Sequence, residues 1–331
     1  MRHRKEHDLM SILNTSNNSE QVKYSVDKMF SEYIDYIATA SIDNIENCMK
    51  RNLGDRRSFN NQNYERILYY YNTFNYWGKI DPEKGVYELI ENRSKALKEH
   101  HEDLSWLYSR LCDYRSKRTL FGIIENWLTF SMVSLSRIME KTFHQYFDLD
   151  VIKCGPDEVF VDIGAYTGDT VKDYINSYGC YKKIYCYEIV PHIFQELKQN
   201  LVQYPNIEYC QRGAGDLGGI MYLTDIEPHQ SMHKLSDFGT MKVPVVKIDD
   251  DISEPVTFIK MDIEGSEQKA ILGCRNHIQT SHPKLAISVY HNNEDIWKCA
   301  RMIDEIDPSY QFYLRYNGGN YYPSECILLG I

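Results

Sequence analysis

The stretch VFVDIGAYTGDT, Val159 to Thr170, passes from an apolar run interrupted by one acid into two glycines and a fresh polar segment. Val159, Phe160, Val161 and Ile163 predict a short strand buried on both faces of a parallel sheet. Gly164 and Gly168 follow. Val171, Tyr174, Ile175 and Tyr178 then fall at helical spacing, with Gly179 as the stop. The unit is strand, glycine turn, helix, which lets a ligand approach the backbone and offers it unpaired N–H groups.

Working outward from this unit, the chain after residue 148 alternates strands with helices. The strands read EVFVDI, KIYCYEI, IEYCQR, VTFIKMDI, KLAISVY, QFYLRY and ECILLGI. VPHIFQELKQNLVQ, SEQKAILGCRNHI and NEDIWKCARMIDEI carry helical spacing between them. That order predicts an α/β doubly wound, mostly parallel sheet of seven strands. Only the turn NGGNYYPS separates the last two strands, which predicts a C-terminal antiparallel hairpin.

Residues 1–148 read as an all-helical N-terminal domain, and 149–331 as the α/β domain. Val26, Met29, Phe30, Tyr33, Ile34 and Ile37 mark a first helix, which the polar stretch RNLGDRRSFNNQN is expected to end. Ile67, Leu68, Tyr71 and Phe74 mark the next. WGKIDPEKG breaks the pattern, and two longer helical segments follow. The aromatic run YYYNTFNYWG, Tyr69 to Gly78, reads either as helical core or as a wall on which a hydroxylated acceptor could stack.

A chain of 331 residues, 43% hydrophobic, can bury a full α/β core with a second unit beside it. Its net charge of −10 argues against a nucleic-acid surface, which needs clustered Lys and Arg. Nine cysteines with no CxxC pair argue against a disulfide framework and fit a reducing, cytoplasmic setting. The N-terminus has no apolar signal-peptide core. Glu125, Asn126 and Arg137 interrupt TLFGIIENWLTFSMVSLSRIM, so a buried helix is expected there and not a membrane span.

Two ligand classes share such a strand, turn and helix: dinucleotides and S-adenosylmethionine. In both, an acid about 20 residues on meets the ribose hydroxyls, and Glu188 is placed for it. The glycine phase separates them. A dinucleotide fingerprint starting at Gly164 needs glycines where Tyr166 and Asp169 stand. Pyrophosphate would meet a ring and a carboxylate, whereas Asp162, Asp169, Glu188, Asp262 and Glu264 suit a cationic sulfonium.

FVDIGAYTGDT, CYEIVP, KIDDD, TFIKMDIEGSEQKAILG and LAISVYH together resemble the FkbM family of S-adenosylmethionine-dependent methyltransferases, over roughly residues 157 to 331. The resemblance implies O-methylation of a sugar or other hydroxylated small molecule or glycan. It implies that Asp162, Gly164 and Gly168 shape the cofactor turn and that Glu188 holds the ribose. RGAGDLGG would pass the adenine, with Ala214 or Asp216 in contact, and Asp262 and Glu264 would face the methyl group. Tyr166 departs from the small residue usual there. It would be strained at positive φ or would cover the cofactor.

Lys260 reads as a catalytic or a snorkelling lysine. His291, emerging beside Asp262, reads as a general base for the acceptor hydroxyl or as a solvated side chain. HQSMH, CRNH and the acids Asp249 to Asp251 each lack a complete ligand set, so no metal is expected. The rival readings are a fold that binds without turnover and an NAD-dependent sugar-modifying enzyme. Oligomeric state is not legible.

Overall fold

The computed structural model describes residues 25–223, 235–236, 239 and 241–331. HQSMH lies outside the described residues. Two compact units divide the chain. One runs through Ser109 and takes in Asp113–Ile138 and Asn320–Tyr322; the other comprises Arg110–Cys112, Met139–Gly319 and Pro323–Ile331.

The first unit is helical: α1 Val26–Thr39, α2 Ile42–Phe59, α3 Asn61–Phe74, α4 Glu88–Glu99, α5 His101–Arg110, α6 Tyr114–Thr129 and α7 Met132–Ile138. Ser25, Ser41, Asn60 and Asp113 each accept a hydrogen bond from a backbone N–H in the following first turn. The polar stretch expected to be a loop is helical as far as Phe59. Asn52 and Leu53 continue the buried stripe of α2 there, and Asn60 both ends that helix and caps α3. The aromatic run divides between two environments. Tyr71 and Trp77 are buried and Tyr69 is exposed. The fully buried Arg93 lies over the Trp77 ring at 4.5 Å and the Trp127 ring at 5.0 Å, so this part of the run packs a cation into the core. No described helix is long and apolar enough to cross a membrane.

The second unit holds β1 Val159–Ile163, α8 Asp169–Tyr178, β2 Lys183–Tyr187, α9 Pro191–Leu201, β3 Ile207–Cys210, β4 Gly213–Ala214, β5 Gly219–Leu223, β6 Leu235–Ser236, β7 Met241–Val246, α10 Ile248–Asp251, β8 Phe258–Met261, α11 Glu267–Gly273, α12 Arg275–Ser281, β9 Lys284–Ser288, α13 Asp295–Ile306, β10 Phe312–Tyr316 and β11 Cys326–Gly330. Seven strands form one sheet, as expected, and their order is β10-β11-β9-β8-β1-β2-β3. β11 runs antiparallel to both β10 and β9, and the other pairs in the sheet are parallel. The order reverses beside β1, which places the ends of β1, β2 and β8 around one crevice.

A second sheet, β4-β7-β5-β6, was not legible. Its strands are short or glycine-rich, and Pro244 interrupts the alternation of β7. The compact units divide after Ile138, ahead of the boundary expected at residue 148. The intervening residues are drawn into the α/β core. Phe147 meets Phe160, Tyr174 and Phe258 edge-on, and Asp148 pairs with Arg315 at 2.5 Å, both side chains buried.

Candidate active site

The acid at the end of β1 has an internal partner. Asp162 stands beside Lys260 in the parallel register of β1 and β8, and Lys260 Nζ lies 2.9 Å from Asp162 Oδ1. The same ammonium donates to Gly164 O at 2.7 Å. Both side chains are buried, at 0% and 2% exposure. Burial disfavours the charge on Lys260, but Asp162 first, then Asp262 and Asp169, outweigh it and move its pKa up. The pair therefore fixes the turn from beneath and does not reach the crevice.

The turn itself needs its first glycine. Gly164 has φ +83°, and a Cβ there would lie 2.0 Å from Asp262 O. Tyr166 adopts φ 46°, the left-handed conformation that a tyrosine rarely takes. Gly164 and Ala165 donate to Tyr187 O at 3.0 and 2.9 Å, and Tyr166 N–H donates to Glu188 Oε2 at 3.1 Å. Gly168, at φ +86°, packs against Leu201 where α8 begins.

A cavity of about 770 Å³, including its open mouth, lies above this turn. Glu188, Ile189, Val190 and Ile193 form one wall, Arg212 to Ala214 another, and Gly164, Tyr166, Asp262 and Glu264 the floor and rim. Glu188 is nearly buried, and its Oε1 accepts from Val190 N–H at 2.7 Å. Burial pushes its pKa up to about 7 against the opposing pull of the Val190, Ile189 and Tyr166 amides. Asp162, Gly168, Asp169, Lys260, His291 and Asp216 lie outside the lining, whereas Ala214 belongs to it.

Arg212, the first residue of RGAGDLGG, lines the cavity and pairs with Asp251 Oδ1 at 3.1 Å, while Tyr187 OH donates to Asp251 Oδ2 at 2.6 Å. Asp249 accepts from Asn276 and His277 N–H at 2.7 and 3.0 Å. Two members of the acidic run are thus internal partners. In CRNH, His277 Nε2 lies 3.1 Å from Ile252 O.

At the end of β8, Asp262 Oδ2 accepts from Tyr146 OH at 2.7 Å, while Oδ1 lies 3.5 Å from His291 Nε2. Glu264, at φ 56°, brings Oε2 to 3.7 Å from the same nitrogen. His291 Nδ1 lies 2.9 Å from Glu267 Oε1, which also accepts from Ile263 N–H at 2.9 Å. His291 is fully buried. Burial alone would lower its pKa, but Glu267, Asp262 and Glu264 outweigh it and hold it up at about 10. Of the two roles expected for His291, the solvated one is corrected by its full burial, and the imidazole lies outside the cavity lining. Tyr146 was missed because nothing in its local sequence points to a site, and Glu267, although inside the TFIKMDIEGSEQKAILG block, was not singled out.

Residues 162–317 match the family model described as the methyltransferase FkbM domain. A methyltransferase FkbM from Methylobacillus flagellatus KT is similar in structure, with a TM-score of 0.62 and 27% identity over 72% of this chain and 61% of that one. This chain thus spans less than two thirds of that relative's length. An rRNA methylase from Streptococcus thermophilus (TM-score 0.35, 15% identity, 53% and 86% coverage) and a precorrin-6y C5,15-methyltransferase from Geobacter metallireducens GS-15 (0.35, 13%, 58% and 90%) are distant and say nothing about the site. No curated protein matches the sequence. Over residues 162–317 the α/β unit of this chain is thus similar to the methyltransferase FkbM domain.

Proposed function

We propose that the α/β unit binds S-adenosylmethionine and methylates a hydroxyl of a small hydroxylated acceptor or glycan. The observation that carries this reading is the cavity at the strand ends, lined by Glu188, Asp262 and Glu264 together with Gly164. Its residues fit the cofactor. Glu188 Oε2 accepts from Tyr166 N–H and Oε1 from Val190 N–H, and the carboxylate has further lone-pair capacity for the ribose hydroxyls. Ile189, Val190 and Ile193 offer the adenine an apolar wall, and the carboxylates at the rim suit a sulfonium.

When bound, S-adenosylmethionine supplies a methyl group already activated by its sulfonium. The chain's task is alignment and removal of the hydroxyl proton. Asp262 Oδ1 is the acceptor for that proton. Tyr146, whose pKa is raised by burial first and then by Asp262, stays a phenol and holds Oδ2 in place. Lys260 and Asp162 are positioning residues, as is His291 through its place behind the carboxylates.

Transfer of labelled methyl from S-adenosylmethionine to a panel of glycosides tests the reading. Tyr146→Phe is expected to lower kcat at least about tenfold with cofactor affinity retained, because it removes a hydrogen bond to a charged group. A panel in which no hydroxylated compound accepts methyl, while a thiol or amine does, would sink the oxygen assignment.

Glu188 also makes cofactor affinity pH-dependent. Its ionised form accepts the ribose hydroxyls, so protonation below pH 7 weakens binding. One such group predicts about tenfold weaker S-adenosylmethionine binding at pH 6 than at pH 8. Calorimetry across that range checks the slope, which Glu188→Gln should flatten.

A further inference from the structure

Side chains of metal-ligating type meet near the ends of β8 and β9. Asp262, Glu267 and His291 each bring a ligand atom within 4.8 Å of the other two. Glu267 and His291 are fully buried, so the group is no solvated patch of acids. With Nδ1 on Glu267, the imidazole points Nε2 towards Asp262 Oδ1 at 3.5 Å and Glu264 Oε2 at 3.7 Å. These separations are long for hydrogen bonds. They lie a little above the roughly 3.0–3.4 Å expected between neighbouring ligand atoms on one octahedral or tetrahedral ion with bonds of about 2.1 Å.

Outer partners are in place as well. Glu267 stands behind the imidazole and Tyr146 behind Asp262, as carboxylates and hydroxyls stand behind metal ligands. Glu267 Oε2 is buried and receives no hydrogen bond, so part of the cluster's negative charge is unmatched by protein donors.

We propose that Asp262, Glu264 and His291 Nε2 form a site for one divalent cation of the Mn²⁺ class, with Glu267 as the outer carboxylate that orients the imidazole. Two carboxylates against one imidazole favour Mn²⁺ over softer ions. Asp262 and Glu264 line the cavity, so positions left open on the ion face it. The chemical purpose rests on the methyl-transfer reading: an acceptor hydroxyl on the ion would have a lower pKa and lose its proton to solvent, with Asp262 holding the ion.

Mn²⁺ titrated into the EDTA-treated, desalted full chain, with free Mn²⁺ read by electron paramagnetic resonance, tests the site. One bound ion per chain is expected. Glu264→Gln at the rim and Glu267→Gln behind the imidazole should each weaken binding at least tenfold, with the fold checked by circular dichroism. Asp250→Asn, in the exposed part of the other acidic run, should leave binding unchanged. Absence of Mn²⁺ uptake by folded protein overturns the site, as does uptake that ignores both Glu variants or is lost in Asp250→Asn. S-Adenosylmethionine calorimetry in EDTA runs alongside. Cofactor binding there without Mn²⁺ uptake rejects the cation and keeps the methyltransferase reading.

Discussion

Asp262→Asn is expected to lower kcat for methyl transfer by on the order of 10²-fold or more, with S-adenosylmethionine affinity changed by no more than about threefold. The side chain ends β8 at the cavity rim, and Tyr146 already occupies Oδ2, so Oδ1 is the oxygen left to face an acceptor. Asparagine keeps the shape and removes the charge that receives the proton. Steady-state kinetics together with calorimetry separate the possibilities. A weakened cofactor Kd with kcat intact would move Asp262 into cofactor binding alone.

Lys260→Met should destabilise the α/β unit by about 3–5 kcal/mol, since it leaves Asp162 buried and unpaired. For a unit of this size that is roughly 10 °C in Tm. It also frees Gly164 O, which fixes the turn under the cavity. The double variant Lys260→Met with Asp162→Leu should recover much of the loss, because two apolar residues replace a buried pair at little net cost. If the single variant melts at the wild-type temperature, the pair is not what holds β1 to β8 at this level.

Much of this architecture was legible because it is written in local periodicity. The strand of Val159 to Ile163, the Gly164 turn and the alternation after it predict the seven-stranded sheet. The second sheet was not, since Gly219 to Leu223 and Met241 to Val246 show no clean alternation and gain their pairing from one another. Glu188 was placed by spacing alone, and the structure sets it on the cavity wall. The surroundings of Asp162 and His291 were not legible. Asp162 reads as a site residue until β8 brings Lys260 beside it in register. His291 reads as a free base until Glu267, Asp262 and Glu264 close round it. Tyr146 lies over 100 residues upstream of Asp262, so only the fold reveals their contact.

The central claim is that the cavity above Gly164 takes S-adenosylmethionine. Calorimetry of the full chain with S-adenosylmethionine, S-adenosylhomocysteine and NAD, repeated on Glu188→Ala, tests it most directly. Binding of the first two, with NAD silent, is predicted. Glu188→Ala should weaken both by about 10- to 150-fold, the loss of hydrogen bonds to a charged acceptor worth roughly 1.5–3 kcal/mol. NAD binding with no heat from S-adenosylmethionine, or S-adenosylmethionine binding indifferent to Glu188, would contradict it.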